Sequence, residues 1–168
     1  MNNESSEPVI DLFSDEHFMR EALRQAMKAA SLDEVPVGAV IVKERRVIAR
    51  AHNTVETLKD ATAHAEILAI TQASQAVGDW RLEGCALFVT KEPCPMCAGA
   101  IVLSRVQRLV FGAPDPKGGG AGGLFDIVSH PSLNHRAMVT SGVLGAECAG
   151  LLKEFFALKR RPPMSMQR

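Results

Sequence analysis

Apolar positions recur three and four residues apart at Phe18, Met19, Ala22, Leu23, Ala26, Met27 and Ala30. That spacing predicts an amphipathic helix, with Ser14 as its N-cap. The pattern then changes. "VPVGAVIV" (35–42) and "RVIARAHN" (46–53) are strand-like runs around the charged "KERR", which predicts a hairpin. A helical pattern covers 63–76, "CALFVT" (85–90) reads as a strand, and 95–104 as a helix beginning at Pro95. "VQRLVFG" (106–112) is a further strand and "MVTSGV" (138–143) a short one. Cys148, Leu151, Leu152, Phe155 and Phe156 mark an amphipathic last helix. Strands alternating with helices predict an α/β sandwich, and the opening hairpin makes its sheet mixed.

Between these elements "APDPKGGGAGG" (113–123) is a loop by composition. It is not a phosphate-cradling P-loop, because no Gly-Lys-Ser/Thr follows the glycines. There is no internal repeat.

Composition narrows the class. The 168 residues suit one domain, assigned to 13–161 between a flexible leader (1–12) and tail (162–168). Hydrophobic residues make up 46% and charged residues 23%, a globular balance. No apolar run reaches the roughly 18 residues of a membrane span, so no membrane partner is expected. The start "MNNESSEPVIDL" lacks the basic and apolar regions of a secretory signal, and a cytoplasmic location is the expectation. Four cysteines are too few for a disulfide scaffold. Formal net charge is zero, yet residues 1–35 carry −5 and residues 153–168 carry +4. The basic end fits either a solvated tail or a nucleic-acid contact.

Two short motifs carry chemistry. "HAE" (64–66) puts His64 and Glu66 where an apolar helix begins. Polar residues are common at helix starts, so alone it needs no further function. "EPCPMC" (92–97) follows a strand and puts Cys94 at the cap and Cys97 in the first turn of a helix. There the helix dipole favours thiolate, the form that binds zinc. A thioredoxin-like redox pair or half of a four-ligand structural zinc site are the alternatives. Taken together, His64, Cys94 and Cys97 supply three protein ligands. Three leave a fourth position open for water, the mark of a catalytic zinc. Glu66 then stands beside that position as a proton carrier. His-x-Glu with Pro-Cys-x-x-Cys is the signature of zinc nucleobase deaminases.

The sequence resembles the bacterial tRNA-specific adenosine deaminase family from about Glu16 to Arg161. The likeness rests on "EVPVGAVIV", "TAHAEI", "EPCPMCAGAI", "SRVQRLVFGA", "NHR" and "EC…LLKEFF". The resemblance implies a cytidine deaminase-like three-layer α/β/α sandwich with a five-stranded mixed sheet. It implies one Zn2+ per chain, a homodimer, and a tRNA anticodon stem-loop as substrate. The implied reaction converts adenosine to inosine at the wobble position, usually of an arginine tRNA. By position, His64, Cys94 and Cys97 match the zinc ligands and Glu66 the catalytic proton shuttle. Asn53 matches the residue that reads the purine edge. Asp115 and Lys117 match an RNA-contacting loop, and Arg160 and Arg161 the basic helix end that meets the anticodon stem. Asp115 either meets a ribose 2′-hydroxyl or only shapes its turn. The chain departs from the family at Lys91, where leucine is common, at Ala61, where proline is common, and in its glycine-rich loop.

Two other readings remain open at this point. One is a zinc deaminase of a free nucleobase or nucleoside, of guanine or cytosine type. The other is a non-catalytic, zinc-stabilised RNA-binding module, against which Glu66 argues. Trp80, Cys85 and Cys148 are expected to pack in the interior.

Overall fold

The computed structural model describes residues 11–160. Arg161, the tail 162–168 and nearly all of the leader 1–12 lie outside the described residues. The elements run α1 (Asp15–Ser31), β1 (Gly38–Lys43), β2 (Arg46–His52), α2 (Val55–Leu58), α3 (Ala65–Val77), β3 (Cys85–Lys91), α4 (Pro95–Leu103), β4 (Arg108–Ala113), β5 (Met138–Ser141) and α5 (Gly145–Lys159). The five strands form one sheet in the order β2-β1-β3-β4-β5. β1 is antiparallel to β2 and β3, while β4 is parallel to β3 and β5, so the sheet is mixed as expected.

Alternation along the strands builds the three layers. Ala39, Ile41, Leu87, Val89, Leu109 and Phe111 point to one face, where they meet Ala65, Ala69 and Ala73 of α3 and Ala98 and Ile101 of α4. Val40, Val42, Phe88 and Val110 point to the other, under Phe18, Met19 and Ala22 of α1 and Cys148 of α5. Strands covered on both faces must be apolar throughout, which is why these three read as continuous hydrophobic runs. The small residues at every fourth position of α3 let that helix sit close to the sheet. Ser14 caps α1, its Oγ accepting from the His17 N–H at 3.1 Å. The hairpin turns through Glu44 and Arg45, both at positive φ (49° and 63°), with Lys43 paired to Arg46. That is the two-residue geometry favoured by strand twist.

Boundaries differ from the pattern where local hydrogen bonds intervene. β1 starts at Gly38, because the Val37 N–H turns back to the Val35 carbonyl at 2.8 Å. β4 starts at Arg108, because Val106 still donates to Ile101 as the chain leaves α4. In α1 Met27 is exposed and Ala29 is buried. The short helix α2 is too brief to show a period and was not foreseen. Cys85 and Cys148 are buried as expected, but Trp80 is 53% exposed, with the Arg81 guanidinium 4.2 Å above its ring. No helix among the described residues is long and apolar enough to cross a membrane.

Candidate metal centre and active site

Two helix N-termini meet at the edge of the sheet where β3 ends and β1 begins. His64 is the N-cap of α3 (φ −75°, ψ 151°) and Cys94 the N-cap of α4 (φ −68°, ψ 171°), with Pro95 in the first turn. Neither side chain caps its own helix, so the imidazole and the thiol are free to face each other. Cys97 follows one turn into α4 and is buried.

His64 Nδ1 lies 3.6 Å from Cys94 Sγ and 3.5 Å from Cys97 Sγ. All three ligand atoms lie within 4.8 Å of one another. A tetrahedral zinc with bonds of about 2.05 Å to nitrogen and 2.3 Å to sulfur requires nitrogen–sulfur separations of about 3.6 Å. The donor set and its spacing therefore fit zinc. Among the described residues this is the cluster of at least three such side chains able to hold a metal ion.

The same contacts shift the ionisation of the site. The Cys94 thiol is pulled down to about 3, first by the hydrogen bond from Cys97 and then by His64. Cys97 is pushed up by that same bond, by burial and by Glu66. Zinc binds thiolate, so loading a metal here expels the thiol protons. His64 is raised, chiefly by its hydrogen bond with Cys94. Glu66, in the first turn of α3, is 3% exposed, and burial raises its carboxyl above the usual range. A carboxyl so placed can take up a proton and give it up again.

His64, Glu66 and Cys94 border a cavity of about 310 Å3, which Asn53, Val35, Val37 and Lys91 also line. Asn53 is 7% exposed; its Nδ2 donates to the Val35 carbonyl at 3.3 Å, and its Oδ1 has no partner among the described residues. Opposite, the buried Glu34 holds α2 against the cavity. Its carboxylate accepts the N–H groups of Thr57 (2.6 Å) and Glu56 (3.1 Å).

The glycine-rich loop is wrapped around two carboxylates. Glu92, 2% exposed, accepts from the N–H groups of Asp115 and Gly123, both at 2.8 Å. Asp115 Oδ1 accepts from Lys117 (3.1 Å) and Gly118 (3.0 Å), and Lys91 donates to its Oδ2. The Lys91 hydrogen bond, ahead of the loop N–H groups, holds the Asp115 carboxyl below its usual range. Asp115 thus shapes its turn. A side chain at Gly119 or Gly123 would place Cβ 1.8 or 2.3 Å from Glu92 Oε2.

The structure brings His64, Glu66, Cys94 and Asn53 around one cavity, with Cys97 behind them and Asp115 and Lys117 on the adjoining loop. Arg160 ends α5 at its C-cap, away from that cavity lining, and Arg161 lies outside the described residues. Sequence reasoning missed Glu34 and Glu92 as organisers. A lone carboxylate that binds backbone N–H groups far along the chain leaves no periodic signal.

A profile of the MafB19-like deaminase family matches residues 13–160. The chain is 54% identical over 147 residues to the tRNA-specific adenosine deaminase of Bacillus subtilis (strain 168), covering 88% of this chain and 91% of that one. It is 51% identical to the enzyme of the same name from Aquifex aeolicus (strain VF5), over 84% and 93% of the two chains. The chain belongs to the tRNA-specific adenosine deaminase family. A tRNA:A34 deaminase, solved in a study of A-to-I editing at the wobble position of transfer RNA, superimposes on this deaminase with a TM-score of 0.78. The two share 48% identity over 81% of this chain and 99% of that one. A guanine deaminase from Nitrosomonas europaea superimposes with a TM-score of 0.71 at 29% identity, over 90% and 89% of the chains. The deaminase fold is thus shared with an enzyme of different base preference.

Proposed function

We propose that this deaminase converts adenosine to inosine at the wobble position of a tRNA anticodon, with water consumed and ammonia released. The observation that carries the reading is the meeting of His64, Cys94 and Cys97 at zinc-ligand spacing beside the buried Glu66, in a chain 54% identical to a tRNA-specific adenosine deaminase.

His64, Cys94 and Cys97 hold one zinc per chain. When bound, zinc supplies the Lewis acidity that makes water a nucleophile near neutral pH. Glu66 takes the first proton that the attacking water sheds and returns it at purine N1; it then takes the second from the new C6 hydroxyl and hands it to the departing amine, which leaves as ammonia from a C6 carbonyl. Asn53 reads the purine edge, its unpartnered Oδ1 accepting from the exocyclic amine of adenine. The cavity walls keep bulk water from these proton transfers.

An anticodon loop presents unpaired bases, so swinging one adenosine into the cavity costs little. Asp115 and Lys117 present the loop 113–123 to the RNA, and Arg160 and Arg161 bind the stem. A second groove, of about 710 Å3, shares Val35 and Glu56 with the cavity and is lined by the half-buried Phe155 and the exposed Phe156 and Lys159, a combination suited to a neighbouring nucleotide. The chain works in the cytoplasm as a homodimer, for which the exposed Leu103, Leu124 and Phe125 supply apolar surface.

The test is mass spectrometry of tRNA anticodon fragments after incubation with the zinc-loaded protein. Inosine at the wobble position of one tRNA, an arginine tRNA first among them, is the expected result. Unchanged tRNA together with deamination of free guanine would replace this reading with the nucleobase one.

A further inference from the structure

We propose that Lys91 is a positioning residue for RNA binding: its ammonium neutralises Asp115 and fastens the glycine-rich loop at the mouth of the active-site cavity. The inference rests on the RNA reading above and adds a specific requirement to it.

β3 and β4 end side by side, with Lys91 paired to Ala113 in parallel register. That register delivers Lys91 next to Asp115, two residues beyond the end of β4, and the two side chains form an ion pair. Their side chains are 32% and 20% exposed, so water and salt screen the pair less than a surface bridge. Lys91 also lines the cavity together with His64 and Glu66. It stands between the reacting centre and the loop.

The loop has an electrostatic problem that Lys91 answers. Its N–H groups are gathered by two carboxylates, Glu92 and Asp115. Glu92 is buried beneath the loop, whereas Asp115 is partly exposed at its surface. An uncompensated anion there would repel the phosphodiester backbone of an incoming RNA. The Lys91 ammonium cancels that charge. It also ties the Asp115 side chain, and through it the N–H groups of Lys117 and Gly118, to the end of β3.

The experiment compares Lys91→Met, Lys91→Arg, Asp115→Asn and the Lys91→Met/Asp115→Asn double variant, all zinc-loaded. Amide hydrogen exchange of the RNA-free proteins reads the loop directly. Lys91→Met is expected to speed exchange at Gly118 and Gly119 by about fivefold, the value of one partly screened ion pair. With an RNA hairpin as substrate, KM rises about fivefold while kcat holds within about twofold. Lys91→Arg restores both readouts. In the Asp115→Asn background, Lys91→Met changes KM by less than about twofold, because the charge it compensated is gone.

Two results overturn the proposal. One is an unchanged loop exchange in Lys91→Met. The other is a KM effect of equal size with and without Asp115, accompanied by a salt slope lower by about 1, which would make Lys91 a direct phosphate contact. Failure of the wild-type protein to deaminate any RNA would instead strike the parent reading, and the exchange measurement separates the two because it needs no RNA.

Discussion

Cys97 Sγ and His64 Nδ1 lie 3.5 Å apart although 33 residues separate them in the chain. The fold spends two helix starts to hold that distance, and it is the distance a shared tetrahedral zinc requires. Cys97→Ala is expected to cut zinc from about one per chain to a small fraction of that, since three protein ligands are the minimum for such a site. Elemental analysis of the purified variant, alongside circular dichroism for its fold, checks it. Full zinc content in Cys97→Ala would remove Cys97 from the ligand set.

Glu66→Gln keeps the shape of the side chain and removes its proton chemistry. The variant should retain zinc and its melting temperature while kcat on tRNA falls by at least the 10²–10⁴-fold of a typical general acid–base group. Single-turnover deamination gives the number. A kcat within about threefold of wild type would leave Glu66 without a role in the chemistry.

Glu34 supplies a pH-dependent prediction. Burial pushes its carboxyl up, but the N–H groups of Thr57 and Glu56, with His52 nearby, outweigh that and hold it below its ordinary 4.5. A depressed folded-state value stabilises the protein above the unfolded value, and the stabilisation is lost as pH falls through the folded one. Glu34→Gln turns an amide N–H2 toward a backbone donor and should cost about 1–3 kcal/mol at pH 7. The deficit relative to wild type should narrow as pH falls below 4.5. Thermal melts at stepped pH test it, and a deficit that stays constant down to acid would contradict the ionic account.

The glycines divide into those with room and those without. Gly150, inside α5, has nothing within 4 Å of an added Cβ, so Gly150→Ala should stabilise by about 0.5–1 kcal/mol. Gly119→Ala drives Cβ into the buried Glu92 carboxylate and should lower both melting temperature and activity. Equal melting temperatures for the two variants would show that the loop yields freely.

The ligand residues were legible in the sequence because His-x-Glu and Cys-x-x-Cys are local motifs, each tied to the start of a helix. The sheet was legible because β1, β3 and β4 are buried on both faces and so appear as unbroken apolar runs. Other features escaped. α2 is held by Glu34, a carboxylate 22 and 23 residues away from the N–H groups it accepts. The loop 113–123 reads only as a loop by composition, and nothing in it announces that Glu92 and Asp115 bind four of its N–H groups. Trp80 looked like a core residue because size alone suggests burial, whereas it lies outside against Arg81. The contacts of Glu34 and Glu92 join distant positions, which no period in the chain encodes, while Trp80 is covered by its own neighbour and not by the core.

The parallel ends of β3 and β4 separate two inheritances. The helix starts carry the ligands and the proton carrier, while the chain after β4 carries the loop that faces incoming substrate. The two parts are nevertheless joined: the Gly120 N–H donates to the Pro93 carbonyl at 2.7 Å, and Glu92 accepts from Asp115 and Gly123. Asn53 and the other residues that line the cavity lie outside the segment after Ala113, so rewriting that segment changes how substrate is presented and leaves the base pocket as it is. For a protein engineer the join sets the terms of any exchange of residues 114–137: the incoming segment must offer Glu92 two N–H groups and keep glycine at 120, where an added Cβ would lie 2.8 Å from the Ala98 Cβ.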